Sequence, residues 1–177
     1  MILIEPDQGR QIPGLQVPKD LYWVFAQPAP LAGMRSPLPG WPWDALHAAG
    51  FQEVVSLDQS TCGPYDPAPL TLTFSQQLQD LGGGGPPPCN ETTERELIGQ
   101  AVHTVAVALQ KNRGVVIHCV GGRGRTGTVL GCVMRHLGLP AEKTVLFLDR
   151  VHKARGKPGW PESPWQESLV RSWSPPA

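Results

Sequence analysis

The chain has no excess charge of either sign: 15 Lys and Arg stand against 15 Asp and Glu in 177 residues, and the formal net charge is zero. A surface without net charge exerts no general pull on nucleic acid or on anionic membrane, so neither is expected as a partner. No apolar run approaches the ~20 residues needed to cross a bilayer. The opening Met1-Ile2-Leu3-Ile4-Glu5-Pro6-Asp7 lacks the basic start and apolar stretch of a secretion signal. Cysteine is scarce and irregularly spaced, at Cys62, Cys89, Cys119 and Cys132, which does not suggest a disulfide framework or a zinc site. No metal and no cofactor are expected, and a reducing, cytoplasmic setting fits best. Internal repeats are absent too.

Glycine and proline, by contrast, are abundant, with 20 of each. They concentrate between the expected elements, which reads as ordered loops around a compact core. The length suits one domain, and a monomer is expected. Residues 1–20 are broken by Pro6, Pro13 and Pro18 and read as an irregular extension; 21–173 read as the domain proper. Leu21 to Ala26 reads as a strand, followed by a Pro-rich connection through Pro39. Trp41 to Ala49 reads as a short helix ended by Gly50. Glu53 to Leu57 reads as a buried strand, and Leu70, Leu72 and Phe74 alternate as a half-buried one. After the breaker run from Gly82 to Pro88, Thr93 with Glu96 suggests a capping box opening a helix to about Lys111. Helices are expected at about 125–137, 141–154 and 164–172, with Pro140 and Pro164 at the starts of the last two. Strands separated by helices imply an α/β domain with a largely parallel sheet, its reactive loop at the carboxyl ends of the strands.

The chemistry concentrates in His118-Cys119-Val120-Gly121-Gly122-Arg123-Gly124-Arg125-Thr126-Gly127. The apolar run Val115-Val116-Ile117 before it reads as a buried strand, and Val129 to Met134 after it has helical spacing. A cysteine at a strand end, a glycine-rich turn and a helix start make an anion-binding nest capped by the positive end of a helix dipole. The fork of Arg125 holds two phosphate oxygens at once, and positive potential in the nest favours a thiolate. This is the pattern of a phosphoryl-transfer site. Gly122 to Gly127 also matches the dinucleotide fingerprint G-x-G-x-x-G. However, Asp149, at the spacing of its acidic residue, lies in a helical stretch, and the fingerprint gives no reason for Cys119 or Arg125. A buried cysteine before a tight turn is the bland alternative. It does not account for the glycines and the arginine together.

His118, Cys119, Arg125 and Thr126 stand as His-Cys, five residues, Arg, Ser/Thr, and the segment resembles the signature of the cysteine-dependent protein tyrosine phosphatase superfamily. The resemblance extends more weakly from about Trp23 to Trp173. It implies that Cys119 attacks phosphorus to form a phosphocysteine and that Arg125 stabilises the equatorial oxygens. Thr126 would assist thiolate departure, while His118, Val120, Gly121, Gly122, Arg123 and Gly124 would line the phosphate site. It further implies a general acid on a mobile loop, one helix and one strand before the cysteine. Asp80 has that place, with Gln79 where a proline is common; Asp58 and Asp66 are rivals. Gln166 matches a glutamine that orients the water hydrolysing the phosphocysteine, and it follows a Lys157-Pro158-Gly159 turn. Some relatives also trap the oxidised nucleophile with a second cysteine; Cys62 and Cys89 compete for that role, against a plain loop thiol. His103 and His152 read as ordinary helix-surface residues.

The short chain resembles the compact dual-specificity or atypical group. That implies hydrolysis of phosphotyrosine, with phosphoserine and phosphothreonine also admitted, in proteins. Arg123 adds a cation inside the loop, so a phosphoinositide, inositol phosphate or other small phosphorylated metabolite is the alternative substrate. A phosphate-binding scaffold with a relic site is the alternative outside enzymes, and it requires the nucleophile, clamp or acid to be missing.

Overall fold

The computed structural model describes residues 1–83 and 85–174. Five strands, β1 (Leu21–Phe25), β2 (Leu31–Met34), β3 (Phe51–Ser56), β4 (Thr71–Ser75) and β5 (Gly114–His118), form one sheet in the order β1-β2-β5-β3-β4. The helices are α1 (Trp43–Ala48), α2 (Glu91–Gln110), α3 (Gly124–His136), α4 (Ala141–Ala154) and α5 (Pro164–Ser172). Only β1 and β2 pair antiparallel; the β2–β5, β5–β3 and β3–β4 pairs are parallel. The expected α/β domain with a largely parallel sheet is what the chain adopts.

β5 lies at the centre of the sheet, with every residue from Gly114 to His118 buried. Its side chains alternate between two cores, as strand geometry requires. Val115 and Ile117 meet Val105, Leu130, Leu148 and Leu169 of α2–α5, whereas Val116 joins Leu46, Phe51 and Val54 on the other face. Burying each such side chain stabilises the fold by about 1.5–3 kcal/mol, so the strand that delivers Cys119 is fixed from both sides.

Several local expectations need correction. β2 was expected to be loop: prolines 28, 30 and 37 surround it and hide four buried residues with no room for periodicity. α2 starts earlier than Thr93. Asn90 is its cap, accepting a hydrogen bond from the Thr93 N–H at 3.0 Å, so Thr93 and Glu96 lie within the helix and form no capping box there. β4 is an edge strand whose Leu72 faces solvent, so its alternation is weaker than the sequence suggests. The first 20 residues are irregular apart from one 3-10 turn, Pro6–Gln8, but they bury Ile12 and Leu15 in the second core. His152 is not on a surface: it is fully buried, edge-on to Tyr22 with ring centres 5.0 Å apart. His103 is exposed as expected.

Candidate active site

The loop from Cys119 to Gly124 joins β5 to α3 at the carboxyl edge of the parallel strands. Its carbonyls are held from outside. The N–H of Ser36, just past β2, donates to the Val120 carbonyl at 2.9 Å. Arg155, at the end of α4, donates Nη2 to Gly121 O at 3.0 Å and Nη1 to Gly122 O at 3.1 Å. Tyr22 on β1 donates its hydroxyl to Gly122 O at 2.8 Å. With these carbonyls turned outward, the loop's N–H groups face the other way. Among the described residues, the N–H groups of Val120 through Thr126 find no acceptor in the protein. That is the arrangement of an anion nest at a helix N-terminus.

Gly122 is required on two counts. Its φ is +68°, and a Cβ there would collide with the carbonyl of Met34 on the neighbouring strand. Gly124 is required by packing, since a Cβ would run into the Glu162 carboxylate. Glycine at 122 and 124 is thus what lets the loop curl tightly between β2 and the segment before α5.

Arg125, in the first turn of α3, extends a buried guanidinium between two carboxylates. Nη1 lies 3.3 Å from Asp58 Oδ1, Nη2 lies 3.4 Å from Asp80 Oδ2, and Nη1 also meets the Leu78 carbonyl at 3.5 Å. The two acids differ in setting. Asp58 has no exposed side-chain surface, whereas Asp80 is 64% exposed. Asp58 accepts the Ser60 hydroxyl at 3.1 Å and the N–H groups of Thr61 and Cys62 at 3.3 and 3.0 Å. Burial alone would raise its pKa; the Cys62 N–H, the Ser60 hydroxyl, Arg125 and the Thr61 N–H outweigh that and hold it below the usual carboxylate value. Asp58 is therefore a fixed anion that orients Arg125. Asp80 stands at the mouth of the site on a segment anchored by buried Leu78 and Leu81, with Gly82 N–H on its Oδ1 at 2.9 Å. Asp66 spends its carboxylate on the Ala68 N–H at 3.0 Å, as a turn former does.

His118 is buried directly before the nucleophile. Its Nε2 lies 2.7 Å from the Tyr65 hydroxyl and its Nδ1 3.3 Å from the Cys119 carbonyl. Burial lowers its pKa to about 4, with the nearby positive charge of Arg125 acting in the same direction and the Cys119 carbonyl and Asp58 opposing. It is a neutral imidazole at pH 7 that positions the loop. Tyr65, stacked on Trp43 at 5.5 Å, is a site residue that sequence reasoning missed; it sits in an irregular Pro-rich segment with no periodic signal.

The structure places the remaining candidates less simply. The Thr126 hydroxyl is buried with no hydrogen-bond partner among the described residues. Gln166 is buried, and its Oε1 accepts from the N–H groups of Glu162 and Ser163 at 2.9 and 3.2 Å, forming with Ser163 the capping box of α5. Its Nε2 faces Gly124, so it borders the loop while capping a helix. Arg123 is not a free cation: Nε donates to the Gly159 carbonyl at 2.5 Å and Nη1 lies 3.4 Å from Glu162. Glu162, whose pKa burial raises although Arg123 opposes it, is a second residue the sequence did not single out. Asp149 lies on α4 and holds Lys153 at 2.7 Å. All four cysteines are free thiols. Cys62 is half-buried on the loop that Asp58 organises, and the exposed Cys89 takes the Gln79 side chain on its N–H at 2.8 Å.

A family model, PTP-SAK, described as the Swiss Army Knife protein, DSP-PTPase phosphatase domain, matches residues 18–158. The chain belongs to this family. Its match runs from the residue before Lys19 through the loop, α3 and α4, so the tethers from Tyr22 and Arg155 lie inside the PTP-SAK domain. Three solved structures show the same fold. Tk-PTP in its active form is 24% identical, with a TM-score of 0.55 over 79% of this chain and 87% of that one. Human DUSP28 is 20% identical, with a TM-score of 0.56 over 81% and 86%. PTPMT1 in complex with PI(5)P is 12% identical, with a TM-score of 0.58 over 81% and 88%. The chain is a phosphatase domain of the DSP-PTPase family.

Proposed function

We propose that this domain hydrolyses phosphate monoesters through a phosphocysteine on Cys119, with Arg125 as the clamp and Asp80 as the general acid. The observation that carries the reading is the loop itself: carbonyls pinned outward, N–H groups without acceptors, and a cysteine and a buried arginine at its two ends. The substrate phosphoryl group sits in the cradle, its oxygens on the loop N–H groups and the Arg125 fork. The Cys119 sulfur forms a bond to phosphorus as the ester oxygen leaves, and Asp80 passes that oxygen a proton. Water then attacks phosphorus as the Asp80 carboxylate takes its proton, the sulfur leaves as thiolate, and phosphate departs. No cofactor enters these steps. Against the relic-scaffold alternative, a cysteine, an arginine and an exposed aspartate that can take the three roles all stand at the loop.

Two walls of the cleft bear on the substrate. A groove of about 700 Å³ beside Val120 is lined by Trp41, Trp43, Tyr65 and several prolines; it suits an aryl ester, and so phosphotyrosine in a protein. On the other side of Val120 the lining is basic, which favours a small phosphorylated molecule. The relative crystallised with PI(5)P supports considering that class. Turnover of para-nitrophenyl phosphate by the wild type, abolished in both Cys119→Ser and Arg125→Ala, is the expected result. Only Cys119→Ser should still bind vanadate well. Absence of wild-type turnover would refute the reading.

A further inference from the structure

The loop that holds the scissile phosphate has a second, positively charged neighbour. A cavity of about 540 Å³ opens beside it, lined by Val120 and Gly121 of the loop and by Lys19, Arg35 and Lys157. These cations come from three separate parts of the chain: the segment before β1, the residue after β2, and the turn after α4. The fold brings them together through the same contacts that shape the loop. Arg35 N–H donates to the Asp20 carbonyl at 2.9 Å, and Ser36 N–H donates to the Val120 carbonyl at the same distance. Arg155 ties the Lys19 and Gly121 carbonyls to one guanidinium, at 3.0 Å each.

The charges around the cavity are unevenly matched. Asp20 is the carboxylate in the lining, and it approaches Arg35 only at 4.0 Å. Lys19 and Lys157 form no salt bridge among the described residues. In a chain of zero net charge, three cations gathered around one cavity and facing one acid make a local region of positive potential. Arg155 adds positive potential, although its N–H groups are committed to carbonyls and His152. Arg123, the cation within the loop, cannot serve this purpose, because Gly159 and Glu162 already hold it.

We infer that the Lys19–Arg35–Lys157 cavity binds a second phosphate of the substrate, so that this site prefers a compact, polyphosphorylated small molecule to a simple monoester. The inference rests on the phosphatase reading of the Cys119 loop. Compactness follows from chain geometry: Gly121 is two residues from Cys119, so their Cα atoms are at most about 7.6 Å apart. Both phosphates are then held along one short loop, which suits a single small scaffold such as a polyol ring.

The test compares wild type with Lys19→Ala/Lys157→Ala, two exposed positions whose loss leaves the core intact. Inhibition of para-nitrophenyl phosphate turnover is measured at fixed ionic strength for inorganic phosphate, myo-inositol hexakisphosphate and a doubly phosphorylated peptide. The polyol phosphate should bind wild type better than inorganic phosphate does, and the double variant should lose about fivefold to tenfold of that affinity. Inhibition by inorganic phosphate and turnover of the aryl ester should stay unchanged. An equal loss for inorganic phosphate, or no loss for the polyol, overturns the inference; a loss confined to the peptide overturns the small-molecule assignment. Calorimetric binding of the same ligands to Cys119→Ser, with and without the two lysines, needs no turnover. It therefore tests the cavity even if wild type fails to hydrolyse the aryl ester, a result that would instead sink the phosphatase reading.

Discussion

Arg125 and Asp58 form a buried ion pair, Nη1 to Oδ1 at 3.3 Å, in which neither side chain is more than 6% exposed. The pair sets the two aspartates at one guanidinium in different surroundings, and the proposed mechanism gives them different tasks. A buried carboxylate already accepting two N–H groups and a hydroxyl is built to stay ionised, whereas the exposed Asp80 has a face free for a leaving group.

Substitution separates the two roles. Asp80→Asn should leave stability almost unchanged and lower kcat by about tenfold to a few hundredfold, within the usual range for general acid catalysis. The loss should be larger for phenyl phosphate than for para-nitrophenyl phosphate, whose leaving group needs less help. Asp58→Ala should instead cost about 3 kcal/mol of stability, because it removes the buried partner of Arg125 and leaves only the exposed Asp80 beside the charge. Urea unfolding and turnover, measured on both variants, check this; a larger purely kinetic loss in Asp58→Asn than in Asp80→Asn would reverse the assignment.

Acid should unfold the domain through its buried histidines. The His118 pKa is lowered to about 4 in the fold, against about 6.5 in an unfolded chain. Between these values the unfolded chain binds a proton that the native state refuses, so stability present above about pH 6.5 is lost as pH falls towards 4. From pH 7 to pH 5 the loss from this residue should be about 2 kcal/mol. His152, pushed well below its ordinary value by burial and by Arg155, Arg123 and Lys157, adds to it in the same direction. His118→Asn should show a shallower fall in urea midpoint over this range than wild type; an equal fall would contradict the assignment.

The outward tethers should control the cradle. Arg155→Lys keeps the charge but not the fork that reaches Gly121, Gly122 and Lys19 together. It should lower kcat/KM by about tenfold or more and weaken vanadate inhibition in parallel, since preorganised N–H donors carry much of the stabilisation. Tyr22→Phe removes one of the two donors to Gly122 and should cost about 1 kcal/mol of stability with a smaller kinetic loss. Turnover reduced without any change in vanadate binding would place the defect elsewhere.

The sequence revealed the loop because its requirements are local. Cys119, Arg125 and the glycines must stand at fixed offsets between a strand and a helix, and the apolar periods of β5 and α3 are long enough to read. The parallel architecture followed from the same alternation. What the sequence hid depends on chain reversal. Arg155 and Tyr22 are remote from the loop in sequence, 34 residues from Gly121 in one case and 100 from Gly122 in the other, and nothing in their neighbourhoods marks them. His152 has a helical, polar-looking context, yet it is buried because α4 packs its inner side against Tyr22. Gln166 borders Gly124 through its Nε2, but its carbonyl is engaged in capping α5. The cation in the loop, Arg123, looked available only because Gly159 and Glu162 lie 36 and 39 residues away.

The most direct measurement of the central claim is a rapid acid quench of the protein during turnover of para-nitrophenyl phosphate, followed by peptide mass analysis. The account predicts one phosphoryl group on the peptide that contains Cys119, formed in a burst with one equivalent of nitrophenol and absent from Cys119→Ser. Nitrophenol release without a phosphorylated Cys119, or phosphoryl transfer to another residue, would contradict it.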